Sequence, residues 1–562
     1  MGGWSCAATS VTGPSASGAS RRRWRRWLLL LALGPIAAAL VVIALRSTLP
    51  GKEPVPLVPR FDSSASDPLA FDPRREDDFT QAAAFGLSHV LYAKSPGGVV
   101  ASAERTARFR VLIGSAVKGS GIDPDLLEAI VLLESAGRPD AIARGDPASA
   151  SGLAQIVAET GINFLGMPID LAVSRRLTRM IAAAEARGDR TAVNRLRERR
   201  QRADARFEPE LALAGAVRYL TTARRRFGRT DLAVVSYHMG IGNLENVLRA
   251  YADAPAREPI ASVVGSGDLS YARLYFDSSP LRHGAAWRRL NALGDGSRDY
   301  YWRVLAARQI MRLFREDRQR LADLALLHAA KASAEEVLHP QDETERFETP
   351  ADVEEAWSGG ELQRLPLDPR AHLSLHASMG RLAPVLDAEP ELYRGLRAEA
   401  LALLLYVAAR VEAISGEKAP LVVTSTVRDA EYQRLLVAEN DQATHRYSLH
   451  TTGYAFDIAR RYGSDAQASA FQFMLERLAA LGLIAWVREP AAIHVTVSLE
   501  AALLVPVMLR PAAPVERSAT VPHTRESILI PRRGPAPRRG GLRAARPRAR
   551  RFSLAGDRLA RS

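Results

Sequence analysis

Residues 27–45 form an unbroken run of nineteen uncharged, mostly apolar residues, and Arg21-Arg-Arg-Trp-Arg-Arg26 leads straight into it. A helix of that length, rising about 1.5 Å per residue, reaches across the hydrocarbon core of a bilayer, roughly 30 Å thick. The arginine cluster sets its own end in the cytoplasm and everything after Arg46 outside. A cleavable signal peptide competes with this reading. The apolar run is long for one, however, and Leu45-Arg-Ser-Thr-Leu49 offers no small-x-small cleavage site. We therefore expect a single-pass protein: a basic cytoplasmic N-terminus (1–26), an uncleaved anchor (27–45), and the remaining chain on the far side.

The remaining length is enough for two or three domains. Residues 46–76 are Pro-rich and read as a linker, and 77–335 carry helical periodicity throughout. Residues 336–370 are acidic and punctuated by Pro and Gly, so they read as a second linker. Residues 371–508 alternate strand-like and helical stretches, and 509–562 are Pro/Arg/Gly/Ala-rich with too little apolar content for a core. The expected fold class is multidomain: an N-terminal transmembrane helix, a mostly α domain, then an α+β domain and a disordered tail. Between Pro511 and Ser562, thirteen Arg against Glu516, Glu526 and Asp557 account for about +10 of the formal +14. The folded middle is thus close to neutral, and its charge does not mark it as a nucleic-acid binder. Cys6, the only cysteine, precedes the anchor, so no disulfide or thiolate metal site can form within the domains.

In the helical region, Asp123-Pro-Asp-Leu-Leu-Glu-Ala-Ile-Val-Leu-Leu-Glu134 has Asp123 as N-cap, Pro124 at the first helical position and an apolar stripe through Leu126, Leu127, Ile130 and Leu133. A glutamate ending such a helix is ordinarily just solvated. Here it opens Glu134-Ser135-Ala-Gly137-Arg-Pro-Asp-Ala141, followed by Ala150-Ser-Gly-Leu-Ala-Gln155-Ile, Phe207-Glu-Pro-Glu-Leu-Ala-Leu-Ala-Gly215 and Ala233-Val-Val-Ser-Tyr237-His-Met-Gly240-Ile-Gly242. These four blocks, in this order, resemble the soluble lytic transglycosylases over roughly 105–315. The resemblance implies a lysozyme-like fold and cleavage of the MurNAc–GlcNAc bond of peptidoglycan with no cofactor. Glu134 would be the single acid/base, first protonating the leaving oxygen and then drawing the proton from the sugar 6-hydroxyl, giving a 1,6-anhydro end. To hold its proton near neutrality such a carboxyl needs a desolvated site, for which Leu132, Leu133 and Tyr237 are candidate walls. Ser135, Gln155, Tyr237 and His238 are the implied substrate-binding residues, with His238 standing where the family has Asn. The Arg-rich stretch 168–206 reads as one or two exposed helices. The aromatics of 268–316, Tyr271, Tyr275, Trp287, Tyr300, Tyr301 and Trp302, read as core.

In the α+β region, Ser448-Leu-His-Thr-Thr-Gly-Tyr-Ala-Phe-Asp457 places His450 seven positions before Asp457, and His494 follows in a β-branched run. Two imidazoles and a carboxylate are the ligand set of a catalytic zinc site that leaves one position open. The string resembles the zinc D-Ala-D-Ala carboxypeptidases and their endopeptidase relatives (the LAS group) over roughly 375–505, as does Thr424-Ser-Thr-Val-Arg428. The resemblance implies zinc on His450, Asp457 and His494, with Arg428 holding a substrate carboxylate or developing oxyanion. The family's base, three residues before the last histidine, would fall at Ala491. The nearest carboxylate, Glu489, is the candidate base, which requires the strand to break near Pro490, because odd offsets along one strand point to opposite faces. His445, His372 and His376 are read as non-ligands, the last two sharing a helix face.

Both resemblances converge on one polymer, so the expectation is a peptidoglycan-remodelling enzyme in the bacterial cytoplasmic membrane, its bulk facing the periplasm or wall. A wall-binding scaffold with one or both heads inactive is the alternative. The basic tail suits anionic wall polymers. Nucleic acid is not expected, because RNA is cytoplasmic and this end is not.

Overall fold

A computed structural model describes residues 56–61, 67–294, 296–439, 444 and 446–512. The expected anchor 27–45, Cys6, His445 and the chain beyond Ala512 lie outside the described residues. No helix among the described residues is long and apolar enough to cross a membrane.

The described residues open with a strand, β1 (Leu57–Pro59), followed by helices that include α1 (Glu76–Gly86). Helix α2 (Pro124–Ser135) starts where the Asp123 carboxylate accepts from the Asp125 amide. It stops at Ala136, which is left-handed with φ 52°. Gly137 follows at φ +70°, where a Cβ would lie 2.5 Å from the Thr106 nitrogen, so only glycine lets the chain turn here. Two Arg-rich helices form a hairpin, α3 (Leu171–Ala186) and α4 (Arg190–Ala203), closed by a seam of Leu177, Ile181, Ala184, Val193 and Leu196. Its surface arginines match a solvated face, but Arg200 and the following Arg206 are buried. Helices α5 (Pro209–Phe227), α6 (Thr230–Met239), α7 (Tyr300–Glu316) and α8 (Arg318–Ala330) are among the others of this region. Tyr271, Tyr275, Tyr300 and Trp302 are core residues there.

The expected linker 336–370 and the described part of the expected linker 46–76 hold regular structure instead. After α8 the chain makes α9 (Glu335–Leu338), then α10 (Pro350–Ser358), whose Thr349 and Asp352 form a capping box, and then β2 (Leu362–Arg364). Phe347, Val353, Ala356 and Leu362 share a buried cluster with Val427. Acidic, Pro-punctuated composition here reflects helix caps rather than a flexible tether. Likewise β1 pairs antiparallel with the last of the described strands, so part of 46–76 and residues 509–511 of the expected tail belong to the folded body.

The α+β region follows with β3 (Leu373–Leu375), β4 (Gly395–Arg397), α11 (Ala398–Ser415), β5 (Leu421–Ser425), β6 (Ala455–Ala459), α12 (Asp465–Ala480), β7 (Ile484–Arg488), β8 (Ala492–Val497) and β9 (Leu509–Pro511). Five strands form one sheet in the order β3-β5-β6-β8-β7, parallel at β3–β5 and antiparallel elsewhere. His372 and His376 flank β3, His372 at φ 55°, and so share no helix face.

One apolar core runs through both regions. At their contact, a Cβ on Gly86 of α1 would lie 2.2 Å from the Ala479 carbonyl of α12. Nearby, the guanidinium of Arg477 donates to the carbonyls of Phe276 (2.7 Å), Ser278 (2.8 Å) and Tyr275 (2.9 Å). An Arg477→Leu change strands three carbonyls at this seam. It is expected to cost about 2–4 kcal/mol, read as a lower urea midpoint, because buried acceptors without donors carry their full desolvation penalty.

Candidate active sites

The first site forms at the C-terminal end of α2. The Tyr300 hydroxyl, at the start of α7, donates to Glu134 Oε1 at 2.7 Å. Tyr300 is 3 % exposed, and Leu132 is also buried. Glu134 keeps a partly exposed edge, yet loss of water around it raises its pKa to about 7, against the lowering effect of the Tyr300 hydrogen bond. The Tyr237 hydroxyl donates to the Ala154 carbonyl at 2.8 Å, and its ring meets Tyr219 edge-on. Glu134 is close enough to Tyr237 for its charge to help hold that phenol well above its usual range, after burial itself.

The remaining expected groove residues are placed less directly. Ser135 is buried and its hydroxyl donates back to the Val131 carbonyl, so as found it faces the helix. Gln155 sits at φ +46°, and its amide nitrogen donates to the carbonyls of Gly152 and Ala141, tying down the loop rather than reaching out. His238 stacks on Tyr300 with ring centroids 5.1 Å apart, and its Nδ1 lies 2.9 Å from Ser297 Oγ. It therefore packs behind the Glu134–Tyr300 pair.

The second site lies on the sheet. Asp457 of β6 and His494 of β8 are directly opposite each other in register, which puts both side chains on one face. His450 stands on the turn Leu449–Thr452, which Gly453 ends at φ +76°. A Cβ on Gly453 would crowd Arg397 Cγ at 3.1 Å and Leu362 Cδ2 at 3.2 Å, so this glycine lets the turn pass into β6. One ligand atom from each of His450, Asp457 and His494 lies within 4.8 Å of the others. His450 Nε2 is 3.2 Å from Asp457 Oδ2, while its Nδ1 donates to the Thr426 carbonyl at 2.7 Å. His494 Nδ1 is 2.8 Å from Asp457 Oδ1. Burial, with Arg428 adding to it, lowers the His450 pKa to about 4, so this ring is neutral and can be a ligand. Burial also opposes charge on His494, but carboxylates on both of its nitrogens outweigh it and raise its pKa to about 10. The donor set, its spacing and the fixed second nitrogens fit a zinc ion.

Around these three groups is a cleft of ≈ 470 Å³ lined by Arg428, Gln433, Glu489, Lys331 and Glu335. Arg428 reaches Ser425 Oγ, Gln433 Oε1 and, at 3.4 Å, Asp457 Oδ2. Glu489 reaches the cleft by a route that counting along one strand does not foresee. Its amide donates to the Ala492 carbonyl across a tight turn at Pro490–Ala491, so it extends β7 rather than β8. Val487 pairs with His494, and Glu489, two further on, lies on the same face. Burial first, and then the charge of Asp457, raise its pKa. Two residues at these sites were not singled out from sequence: Tyr300, read only as core, and Glu335, read as the end of the helical region.

Residues 180–259 match the family model of the transglycosylase SLT domain. The match runs from within α3 to beyond the end of α6, taking in Tyr237 and His238, and Glu134 precedes it. It supports the lytic transglycosylase resemblance and, with it, peptidoglycan as the substrate class. The match does not extend to the sheet that carries the second site. No curated protein matches the chain.

Proposed function

We propose that the chain is a membrane-anchored peptidoglycan-remodelling enzyme with two heads, a glycan lyase at Glu134 and a zinc peptidase at His450, Asp457 and His494. The observation that carries this reading is the Glu134–Tyr300 pair in a helical domain that also holds the SLT match. With Oε1 engaged by Tyr300, the other carboxyl oxygen carries the proton to the departing glycosidic oxygen. The resulting carboxylate then takes the proton of the sugar 6-hydroxyl as O6 bonds to C1, so the 1,6-anhydro product forms without water. In the second head His450, Asp457 and His494 would hold zinc, which when bound supplies Lewis acidity towards a peptide carbonyl and its attacking water. Arg428 binds the substrate carboxylate or developing oxyanion, and Glu489 accepts the water's proton for delivery to the leaving amine. The 27–45 anchor would hold both heads on the wall side of the cytoplasmic membrane.

Removing the Tyr300 hydroxyl tests the first head's acid. Its hydrogen bond lowers the Glu134 pKa, so in Tyr300→Phe the alkaline limb of the glycan-cleavage profile is expected to move upward by about 0.5–1 pH unit. An unmoved limb would separate the limb from Glu134.

Mass spectrometry of fragments released from purified peptidoglycan tests the whole proposal. Anhydro-ended muropeptides should appear with or without chelator, and shortened stem peptides only without it. Water-terminated reducing ends would make the first head a hydrolase. Retained binding with no release of either kind would make the chain a wall-binding scaffold.

A further inference from the structure

We infer that Glu335, at the start of α9, is a positioning residue of the metal centre, which fixes the ring of His494 so that Nδ1 faces the metal; this rests on the zinc reading above. Glu335 Oε1 lies 2.9 Å from His494 Nε2, and the Thr496 hydroxyl donates to the same oxygen at 3.0 Å. Its other oxygen lies 3.4 Å from Lys331 Nζ. With the residue only about 3 % exposed, this carboxylate has lost nearly all its water. Such a group is retained only where its partners offset a desolvation cost of several kcal/mol, and its closest charged partner is His494.

An imidazole that gives its Nε2 proton to a carboxylate keeps its Nδ1 lone pair for a metal, and the carboxylate also increases the ring's basicity. The opposite arrangement holds at His450, where Nδ1 donates to the Thr426 carbonyl and Nε2 faces Asp457. The two rings are thus pinned from opposite sides, and each turns its other nitrogen towards Asp457. Glu335 is neither a fourth ligand nor the base in this geometry. It lies across the His494 ring from Asp457, outside the cluster of ligand atoms. Its Oε1 is already engaged by His494 and Thr496, whereas Glu489 reaches the cleft from the β7–β8 turn. Glu335 comes from the segment that follows α8, so the second head's metal site borrows a residue from the chain leaving the helical region.

Zinc affinity of the full chain, measured by competition with a chromogenic chelator, tests this, with cobalt absorption as a second readout of ligand geometry. The unsubstituted protein should hold one zinc. Glu335→Ala should weaken it about 10–100-fold and shift the cobalt bands. Glu335→Gln, whose amide oxygen still accepts the Nε2 proton without charge, should fall between, and being isosteric it serves if the alanine variant does not fold. Glu336→Gln, which alters a neighbouring carboxylate that does not touch His494, should stay within about twofold of the unsubstituted protein. A merely structural role would lower stability without this graded order. Glutamine and alanine variants within about twofold of the parent would overturn the inference while leaving the zinc reading intact. A parent protein that takes up no zinc would overturn both.

Discussion

Glu134→Gln is expected to abolish release of anhydro-ended fragments, by roughly 10³-fold or more, and at the same time to stabilise the folded protein above pH 7. The first effect follows because glutamine can neither give nor take the proton, and positioned acid–base groups contribute typically about 10²–10⁴-fold per step; in the proposed mechanism one carboxyl serves both steps. The second follows from the raised pKa. In the folded state the carboxyl titrates at about 7 rather than 4.5, so folding favours its protonated form. Below pH 4.5 both states are protonated and the group costs nothing. As pH rises from there to 7 the unfolded chain gains an ionisation that the folded one resists, and stability falls until the folded carboxyl also ionises. Allowing for the partly exposed edge, the penalty above pH 7 is about 1–2 kcal/mol, and glutamine removes it. Urea unfolding at pH 8 should show the variant more stable than the parent, with the gap closing by pH 4. A variant that is inactive but no more stable at pH 8 would mean that Glu134 is not a destabilised, proton-holding acid.

What the sequence disclosed about these sites depended on how local each constraint was. The α2 boundaries were readable because Asp123, Pro124 and Gly137 act within one turn of the helix. His450, Asp457 and Gly453 were readable as one string, and the β-branched run around His494 identified its strand. That Asp457 and His494 are directly opposed depends on β6–β8 register, which no single stretch contains. Glu489 was singled out by chemistry, and it lines the cleft by a geometry that one strand does not contain, since a hairpin turn moves it onto the neighbouring strand, where its side is counted from Val487. Tyr300 and Glu335 were not singled out because their contacts at the candidate sites exist only across long separations: Tyr300 meets Glu134 at a distance of 166 positions, and Glu335 meets Thr496 at 161. The same cause hid the pairing of β1 with β9, which turns part of a Pro-rich linker into structure. Composition reports whether a segment can form a core by itself, and says little about a short segment that lies on a core built by others.

Arg206→Met is expected to destabilise the protein by about 3–5 kcal/mol, the largest loss of stability anticipated here, because it leaves a buried carboxylate without its partner. Arg206 and Asp204 are both 0 % exposed and joined at 2.6 Å. A guanidinium has five N–H donors, and here all five are used. Nε and Nη2 bind the two Asp204 oxygens, Nη2 also binds the Pro147 carbonyl, and Nη1 binds the carbonyls of Ser149 and Ile156. This one side chain therefore holds the 147–156 loop against the helices. The loop carries Gly152, where a Cβ would lie 1.7 Å from the Arg206 carbonyl, and Ala154, whose carbonyl takes the Tyr237 hydroxyl. Loosening it should reduce glycan cleavage even under conditions where the variant remains folded. Arg206→Lys should recover little, since an ammonium cannot span five acceptors in one plane. Pairing Arg206→Met with Asp204→Asn should recover part of the stability by removing the stranded charge, but not the activity, because the loop carbonyls remain without donors. Urea midpoints and fragment release measured on the three variants separate these effects. Equal stability of the single and double variants would show that the carboxylate charge is not the source of the loss.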